Sequence, residues 1–424
     1  MFLFDYLLEH NRYMNLLGIV VIIGIAVLFS KDRSKIKVKL IGVCLLLQTL
    51  IALALLKNSV GQTILGTLVH YIGKMYEFAD EGAGFLFGNF CNVNSPWGFI
   101  FCLKVFPVII FFAAFMALLA HWRVVHYAVM GVNFVLRPLL GTSGAETLVA
   151  IANSFLGQTE APLLIRDYLK DMTKSEMLVV MVAGMGTMSG AIIVVYSSMG
   201  VPAMHMLAAS VMAIPATIMI AKILLPETGE PKTLKGDATV SGGKMDNAFD
   251  AIASGTMAGL NLVLAVAAML ISFIAFIALI NYSMKFGAFK LNHLFSWIGT
   301  DFRLPDDFSL DLVLSYLFLP FGYLFGFTGN DALQASQLIG IKTAANEMLA
   351  YGKMVSMHLS ERVMNITTYA LCGFSNFSCI GIQIGGIGAL VPEKRHWLAE
   401  LGLYAVLGGT LANLLSAMIA SLLL

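Results

Sequence analysis

The sequence predicts an all-α polytopic membrane protein with about eight transmembrane helices, two re-entrant hairpins, two broken helices and an inverted repeat. Its composition is the first observation: 58% of the 424 residues are hydrophobic and only 12% are charged, against about 45–50% and about 25% in soluble proteins. The second is a series of long apolar runs, and the third is a pair of polar interruptions in corresponding halves of the chain. The solvent of this chain is therefore largely lipid.

Eight apolar runs carry the predicted transmembrane helices. A spanning helix needs about 20 predominantly apolar residues. The first run is expected to be a retained anchor and not a signal peptide, because no basic segment precedes it and no small-residue cleavage site follows it. The runs lie at residues 16–29, 40–56, 99–119, 177–199, 204–225, 259–280, 364–390 and 401–424.

The distribution of Lys and Arg predicts the orientation of the spans. The loop between the first two spans is the most basic in the chain, and the positive-inside rule assigns it to the cytoplasm. An even number of spans then puts both termini outside. The loop after the fifth span and the loop before the last span are also basic and agree with this orientation. The basic residues of the first loop are Lys31, Arg33, Lys35, Lys37 and Lys39.

Charge and motif content exclude several classes of function. A net charge of +1 gives no electrostatic basis for binding nucleic acid. The eight histidines form no H-E-x-x-H motif and no Cys/His cluster, so the sequence does not predict a metalloenzyme. Nucleophile–base pairs are missing as well. We therefore expect no catalytic residue, no enzymatic activity and no organic cofactor.

Residues 145–165 are apolar, but their arms are too short for a span. The arm at residues 147–156 meets the polar run Gly-Gln-Thr-Glu at 157–160. The hydrocarbon core of a bilayer is about 30 Å thick, so an arm of this length can enter and return by the same face but cannot cross. The sequence predicts a re-entrant hairpin here, with amide, hydroxyl and carboxylate groups at its turn.

Residues 331–351 repeat this pattern in the second half of the chain. A short arm leads to Gly-Ile-Lys-Thr at 340–343, and a returning arm carries Asn346 and Glu347. The sequence predicts a second re-entrant hairpin with its turn at 340–343. The similarity between the two hairpins is weak and requires a two-residue gap.

Each predicted hairpin is followed by a span whose centre is rich in glycine and serine. The span at 177–199 contains the run from 184 to 190, and the span at 364–390 contains the run from 373 to 379. Such centres favour a helix break, and the freed backbone groups persist at membrane depth only inside protein or along a cavity. Paired breaks of this kind are typical of secondary transporters, whose binding site lies near the midplane.

The polar residues of these segments each have a structural alternative. A charge such as Glu160 at the bilayer centre costs at least about 2.5–3.5 kcal/mol, so it either serves a ligand site or forms an ion pair in a wet vestibule. Asp331 either binds two hydroxyls of a sugar or caps a hairpin helix. Asn376 shares a helix face with Cys379 and either contacts a ligand or bonds to a neighbouring helix.

Oxygen ligands for a sodium ion occur near the first hairpin and its partner break. Asn153 lies four residues before Gly157 and shares its helix face. Its amide oxygen, the Thr187 hydroxyl and the carbonyls freed at the breaks are donors that suit Na⁺. The alternative for Thr187 is a hydrogen bond to the carbonyl four residues earlier.

Three ordered motifs together point to one transporter family. The motifs are Gly157 to Pro162, Lys342-Thr343 with Asn346-Glu347, and Ala370 to Phe374 with Asn376. In them the chain resembles the concentrative nucleoside transporter family in its bacterial, eight-span form, over nearly the whole length after the first dozen residues. The resemblance implies a homotrimer, with a fixed scaffold and a transport domain that moves by an elevator-type mechanism.

The resemblance also divides the chain into parts. Residues 1–120 are expected to form N-terminal scaffold helices, and residues 121–225 the first half of the transport domain. A cytoplasmic linker at 226–250 leads to a scaffold helix and interfacial segment at 251–310. Residues 311–424 are expected to form the second half of the transport domain.

The family's binding residues correspond to named positions in this sequence. The implied nucleobase contacts are Gln158, Thr159 and Glu160, with Ile192 and Leu262 as apolar walls. The implied ribose contacts are Asp331, Asn376 and Cys379, with Phe374 beside the sugar. The implied sodium ligands are the side chains of Asn153 and Thr187 and the carbonyls of Leu156 and Met188.

Three positions bear on how closely the family pattern is followed. Some members carry Glu where this chain has Asp331, and the shorter carboxylate is expected to need a bridging water. Cys379 stands where serine is common, and a thiol is a weaker hydrogen-bond partner. Proton-coupled members lack an asparagine at the position of Asn153, so its presence favours Na⁺.

The sequence therefore predicts a sodium-coupled symporter of a bacterial cytoplasmic (inner) membrane. Its expected substrates are uridine-like pyrimidine nucleosides, with purine nucleosides as a further candidate. The alternative within the same fold is a proton-coupled symporter with Glu160 or Glu347 as the carrier. A membrane enzyme or receptor is disfavoured because nucleophile–base pairs and metal patterns are missing, and a channel because no ring of charges lines a pore.

Overall fold

The protein is all-helical, as its composition predicts. The structure, a computed structural model, describes residues 2–91, 96, 100–234 and 247–424. Every regular element in these ranges is a helix. In chain order the α-helices are α1 (Phe2–Leu8), α2 (Arg12–Leu28), α3 (Val38–Leu56), α4 (Ser59–Phe87), α5 (Phe101–His121), α6 (Val124–Leu140), α7 (Gly144–Ala152), α8 (Arg166–Leu169), α9 (Lys174–Gly186), α10 (Gly190–Ser198), α11 (Ala203–Leu224), α12 (Ala248–Ile298), α13 (Leu310–Leu324), α14 (Gly329–Ala344), α15 (Glu347–Ser356), α16 (Glu361–Leu371), α17 (Phe377–Leu390) and α18 (Arg395–Leu423).

Seven helical stretches in the described part of the chain are long and apolar enough to cross a bilayer. The number becomes eight if α13 and α14, which bend by 119° between them, count as one span. The eight predicted spans correspond to these seven stretches and to the pair α16 and α17. The prediction missed α4, a helix of 29 residues, because Lys74, Glu77 and Asp80 interrupt its apolar run.

The first hairpin has one short helical arm and one irregular arm. All nine residues of α7 are buried, and at about 1.5 Å per residue the helix is too short to cross a bilayer. Its N-terminus is closed by a capping box, in which Ser143 and Glu146 each bind the other's backbone N–H. The chain turns at residues 153–160 and returns through the 3-10 turn Ala161–Ile165 and α8.

The second hairpin turns later than the sequence predicts. The helix α14 runs without interruption through residues 340–343, so the predicted turn there is wrong. Gly340 serves close packing instead, because a Cβ on it would lie 2.5 Å from the Cβ of Leu314 on α13. The turn is at Ala345 and Asn346, and the Asn346 side chain accepts a hydrogen bond from the Leu349 amide at 2.9 Å to cap α15.

Both glycine- and serine-rich centres interrupt their helices. The first interruption separates α9, which ends at Gly186, from α10, which begins at Gly190. The second separates α16, which ends at Leu371, from α17, which begins at Phe377. The residues of both breaks are buried or half-buried, which fits the requirement that freed backbone groups at membrane depth lie inside protein.

Small residues allow close approach within two groups of helices. In the first group α12 packs along α5, where a Cβ on Gly255 would lie 2.6 Å from Ala117. In the second group α18 packs against α9, where a Cβ on Gly409 would lie 2.9 Å from Met185 Cβ. We call the first pair the α5–α12 wall. It faces the hairpins and breaks across a cavity.

The chain ends and the basic loops gather at separate faces of the molecule. The Tyr6 hydroxyl donates to the Leu422 carbonyl at 2.6 Å, so the N- and C-terminal helices begin and end together. The first basic loop meets the end of α11 and the start of α18, since the Lys31 amide donates to Leu224 O at 2.9 Å and its ammonium lies 3.1 Å from Glu400.

The predicted linker at 226–250 lies partly outside the described residues, which stop at 234 and resume at 247. Its first part binds hairpin 1, because the Ala145 amide donates to the Thr233 hydroxyl at 3.2 Å. Burial by itself raises the pKa of the Glu227 carboxyl. The Lys222 ammonium, 3.1 Å away, and the hydrogen bond from the Gly229 N–H lower this pKa by a larger amount. The pKa of Glu227 therefore lies below its ordinary value, and the ion pair is charged at neutral pH.

Candidate functional site

A cavity of about 160 Å³ lies where the two hairpin turns and the two helix breaks meet. One side of it is the α5–α12 wall, which contributes apolar side chains. The other side carries the polar groups of the hairpins and breaks. From the wall the cavity is lined by Ala113, Met116, Leu262, Ala265, Val266 and Leu270. From the opposite side its lining includes Gln158, Thr159, Glu160, Ile192, Phe374, Asn376 and Cys379.

The turn of hairpin 1 is packed tightly against α17. Thr159 lies against Gly386, on which a Cβ would be 2.5 Å from the threonine methyl group. The Glu160 carboxylate folds back and accepts a hydrogen bond from the Gly157 amide at 3.2 Å. Among the described residues no cationic side chain forms an ion pair with Glu160, so the ion-pair interpretation of this carboxylate has no partner in the structure.

Three helix N-termini converge on the cavity. The first turns of α10, α15 and α17 contribute Ile192, Glu347 and Cys379 to its lining. A helix N-terminus carries a partial positive charge and free N–H groups. The cavity therefore combines fixed donors from the backbone with carboxylate and amide side chains, which suits a neutral polar ligand with several hydroxyl, carbonyl and amino groups.

Glu347 is the carboxylate of the second hairpin that reaches the cavity. It follows directly on the turn and is only 6% exposed. One carboxylate oxygen accepts from the Tyr196 hydroxyl at 2.9 Å, and the other accepts from Asn376 Nδ2 at 3.0 Å. Each oxygen keeps a further lone pair, so the carboxylate can accept one hydroxyl on each side.

Asp331 is not in the cavity lining, which corrects the expectation from the sequence. It lies in the first turn of α14, and the unbroken helix carries the chain about 21 Å from there to Ala345. The expectation failed because the acidic residue of the family pattern was assigned to Asp331 at the far end of α14, whereas Glu347 follows the turn directly.

Gln158 is held by a side chain that the sequence analysis did not identify. Its Nε2 donates to Cys379 Sγ at 3.3 Å, and its Oε1 accepts from Gln383 Nε2 at 3.1 Å. Gln383 is fully buried and its Nε2 also donates to Met181 O at 3.0 Å. The only signal for this contact in the sequence was a glutamine in an apolar segment, one helical turn after Cys379.

The sequence-predicted sodium ligands lie behind the cavity, next to the first break. Asn153 is 1% exposed, and its Nδ2 donates to Val149 O at 3.0 Å. Within the described ranges no donor reaches its buried Oδ1. The Thr187 hydroxyl donates to Ala183 O at 2.8 Å, which uses its hydrogen and leaves its oxygen lone pairs available.

Hairpin 1 and the first break are joined by direct hydrogen bonds. The Gly190 amide donates to Phe155 O at 3.1 Å. Ser210 of α11 bridges the two, because its carbonyl accepts from Ser154 Oγ at 3.0 Å and its hydroxyl donates to Met188 O at 3.5 Å. A buried amide oxygen without a donor beside freed carbonyls is a set of hard oxygen atoms that fits a small monovalent cation such as Na⁺.

A second polar cluster ties the two breaks to each other. Asn413 of α18 donates to Gly186 O at 2.7 Å, and its Oδ1 accepts from Lys342 Nζ at 2.7 Å and from Ser375 Oγ at 3.3 Å. Lys342 is 1% exposed and also donates to Ala370 O at 3.0 Å. The ammonium thus lies at the C-terminal end of α16, where a cation is favoured.

The comparisons with known proteins agree on one family. The family model described as "Na+ dependent nucleoside transporter C-terminus" matches residues 205–421, and its N-terminal counterpart matches residues 17–90. A third model, described as "Nucleoside recognition", matches residues 102–203.

Curated relatives align over nearly the whole chain. An uncharacterized transporter of Haemophilus influenzae is 39% identical, over 96% of this chain and 97% of the relative. The nucleoside permease NupC of Helicobacter pylori is 36% identical, over 97% of this chain and 98% of its own. Solute carrier family 28 member 3 of Homo sapiens is 33% identical, and the alignment covers 96% of this chain and 59% of that longer protein.

A solved structure shares the fold. The protein CNTnw, in a structure described as an inward-facing substrate-bound state, is 36% identical to this chain. The superposition has a TM-score of 0.87 and covers 97% of both chains. The chain therefore shares the overall fold of a structure that is described as substrate-bound.

Proposed function

This chain belongs to the family of Na⁺-dependent, concentrative nucleoside transporters, and we propose that it is a sodium-coupled symporter. As a member of that family it is a multi-pass nucleoside transporter and not an enzyme. It imports uridine-like pyrimidine nucleosides, and purine nucleosides are a further candidate. The observation that carries the proposal is the cavity between the hairpins, in which acidic, amide and hydroxyl side chains face an apolar wall.

The ribose is bound by the second half of the chain. Glu347 accepts the two ribose hydroxyls, since each of its oxygens already has one protein donor and keeps another lone pair. Asn376 holds Glu347 in place, and Cys379 and Phe374 line the same part of the cavity. In this proposal Glu347 takes the role that the sequence assigned to Asp331.

The nucleobase is bound by the first half of the chain. Gln158, Thr159 and Glu160 offer a donor, a hydroxyl and an acceptor at the tip of hairpin 1. Ile192 of α10 and Leu262 of α12 cover the two faces of the ring, which buries apolar surface on both sides of a flat ligand.

Sodium binds next to the nucleobase site and shares hairpin 1 with it. Asn153 and Thr187 contribute side-chain oxygens, and Leu156 and Met188 contribute carbonyls. The support is the buried Asn153 oxygen that has no donor among the described residues. The ion supplies the positive charge that holds these oxygens together, so hairpin 1 reaches its nucleoside-binding geometry when the ion is bound, and the two affinities are coupled.

Transport moves the hairpins and breaks relative to the α5–α12 wall. The cavity lies along the boundary between these parts, and the side chains that the wall contributes to it are apolar among the described residues. Sliding at the cavity therefore breaks no hydrogen bond between these wall residues and the hairpins. We propose an elevator-type motion within a homotrimer in a bacterial cytoplasmic membrane, with both termini outside. The contact between Tyr6 and Leu422 supports placing the two termini on one side.

Counterflow in proteoliposomes tests the proposed function. The purified protein is reconstituted with unlabelled uridine inside and equal Na⁺ on both sides, and labelled uridine is added outside. Transient accumulation of label is expected, because a carrier exchanges the two pools. Tight binding of uridine without any entry of label would favour a receptor, and entry of label that only equilibrates, at a rate that does not saturate with uridine, would favour a channel.

A further inference from the structure

Gln383 stands directly behind the Gln158 amide, outside the residues assigned to the nucleobase. It is fully buried on α17, and it does not line the cavity. Its Nε2 donates to Gln158 Oε1 at 3.1 Å and to Met181 O at 3.0 Å. It therefore contacts a predicted nucleobase ligand on one side and the backbone of α9 on the other.

The hydrogen-bond partners decide which way both amides face. A backbone carbonyl only accepts, so the Gln383 atom beside Met181 O must be the NH₂ group. The same NH₂ group faces Gln158, and it needs an acceptor there, so the Gln158 carbonyl oxygen points away from the cavity towards Gln383. The Gln158 NH₂ group is left on the side of Cys379, which lines the cavity.

The local packing leaves the two amides no space to rearrange. A Cβ on Gly184 of α9 would lie 2.9 Å from Gln158 Cβ and 2.9 Å from Gln383 Nε2. Glycine at this position therefore lets α9 approach both glutamines. A flip of the Gln158 amide would set two NH₂ groups against each other at this contact, and a buried donor left without an acceptor is costly.

We propose that Gln383 is a positioning residue for nucleobase recognition, which it serves by fixing Gln158 as a hydrogen-bond donor towards the substrate. This inference rests on the proposed function of the cavity. It defines the class of base that binds well: one that presents a carbonyl oxygen or ring nitrogen to Gln158 and an N–H group to the neighbouring Glu160. Adjacent acceptor and donor groups of this kind occur on the edges of uracil, cytosine and adenine.

A double-mutant cycle tests whether Gln383 acts through Gln158. Equilibrium binding of labelled uridine to the purified protein in saturating Na⁺ gives Kd for the wild type, Gln383→Met, Gln158→Ala and the double variant. Loss of one fixed hydrogen bond predicts that Gln383→Met raises Kd about 5- to 20-fold in the wild-type background. In the Gln158→Ala background the same change is expected to alter Kd less than about 2-fold, because the group it positions is gone.

Gln48 offers a matched control. It is also a fully buried glutamine, its Nε2 donates to Ser416 Oγ at 2.9 Å, and its Oε1, like that of Gln383, has no partner among the described residues. Gln48→Met removes the same kind of interaction far from the cavity, so Kd is expected to stay within about 2-fold of the wild type. Gln383→Leu is the second variant, and Kd is used because it does not depend on the folded fraction.

Two outcomes would overturn the inference while uridine binding and counterflow by the wild type still support the proposed function. One is an equal increase in Kd for Gln383→Met in both backgrounds, which would mark a general structural effect. The other is an unchanged Kd for both Gln383 variants in the wild-type background. Failure of the wild type to bind or exchange uridine would instead contradict the proposed function, and the inference with it.

Discussion

Two carboxylates of the second hairpin differ in their surroundings, and the difference separates ligand contact from helix capping. Glu347 follows the turn and lines the cavity, whereas Asp331 lies in the first turn of α14 and does not. An acidic residue in the first turn of a helix is favoured by the helix dipole, which suits the position of Asp331, although the N-terminus of α14 has no side-chain capping hydrogen bond.

The isosteric pair Glu347→Gln and Asp331→Asn tests this difference. Glu347→Gln removes the negative charge and one acceptor from the cavity, and since hydrogen bonds to charged groups contribute about 1.5–3 kcal/mol, the Kd for uridine is expected to rise about 10- to 150-fold. Asp331→Asn is expected to change it less than about 2-fold.

The ribose hydroxyls provide an independent readout of the same assignment. 2′,3′-Dideoxyuridine lacks both groups, so the wild type and Glu347→Gln are expected to bind it equally poorly in a competition assay. The ribose assignment fails if the dideoxynucleoside binds the wild type as tightly as uridine does.

Asn153 carries the prediction for the sodium site. Asn153→Ser removes the buried amide oxygen from the proposed sodium site. Because an interaction with a charged group contributes about 1.5–3 kcal/mol, the Na⁺ concentration for half-maximal uridine binding is expected to rise at least about 10-fold. Asn133 of α6 is the control, because it is also buried with an Oδ1 that has no partner in the described part of the chain. An equal shift for Asn133→Ser would argue against a sodium ligand.

The sequence identified the main polar residues of the first hairpin and the second break that line the cavity, and for a physical reason. Gln158, Thr159, Glu160 and Asn376 are polar residues inside apolar segments, and such residues are costly in lipid unless they have a function. Gln383 was missed because a single buried glutamine in a glycine-rich helix carries no pattern. Its proposed role depends on its contact with Gln158, which lies 225 positions away in the chain.

At the scale of helices and turns, a glycine in an apolar segment marks either a turn or a close contact between helices. The sequence predicted breaks at the glycine-rich runs 184–190 and 373–379 and a turn at 340–343, which holds for both helix breaks but not for Gly340. That glycine lies in the interior of α14 and makes room for α13. A sequence pattern cannot separate these two uses of glycine, because the difference lies in a partner helix that is distant in the chain.

Gly373 in the second break tests the distinction by mutation. Its φ is +137°, and a Cβ on it would lie 2.6 Å from Asn413 Oδ1 and 2.7 Å from Met185 O. Gly373→Ala is therefore expected to destabilise the protein by about 2–4 kcal/mol, seen as a lower Tm in detergent.

Gly381 of α17 is the matched control for this substitution. Apart from its chain neighbours and its own helix backbone, no atom of the described residues lies within 4 Å of a Cβ placed on it, and alanine is favoured over glycine inside a helix by about 1 kcal/mol. Gly381→Ala is expected to leave Tm unchanged or slightly higher. If Gly373→Ala has the same Tm as Gly381→Ala, the two breaks do not depend on this close approach.

At the scale of the whole molecule, the proposed sodium and nucleoside sites share one element. Hairpin 1 carries Asn153 on its cation side and Gln158 on its cavity side. The Lys342–Asn413 cluster joins the C-terminal ends of α9 and α16, so hydrogen bonds connect the first break to the second. We propose these contacts as the route by which an ion at the first break affects the solute site.

The class of fold followed directly from the sequence, whereas the size of its elements did not. Apolar runs located the spans because lipid demands about 20 apolar residues from any crossing helix. The amphipathic helix α4 has no such run, and α12 extends over 51 residues, well beyond the apolar stretch that predicted it. An apolar run marks only the part of a helix that lipid surrounds, so it does not report where the helix begins or ends.

Uptake by proteoliposomes under an imposed ion gradient tests sodium coupling most directly. Labelled uridine uptake is measured with an inward Na⁺ gradient at equal pH on both sides, and again with choline replacing Na⁺ and an inward proton gradient imposed. Accumulation above equilibrium is expected in Na⁺, and only equilibration or no uptake is expected in choline. Undiminished accumulation in choline, driven by an inward proton gradient, would contradict sodium coupling and favour the proton-coupled symporter.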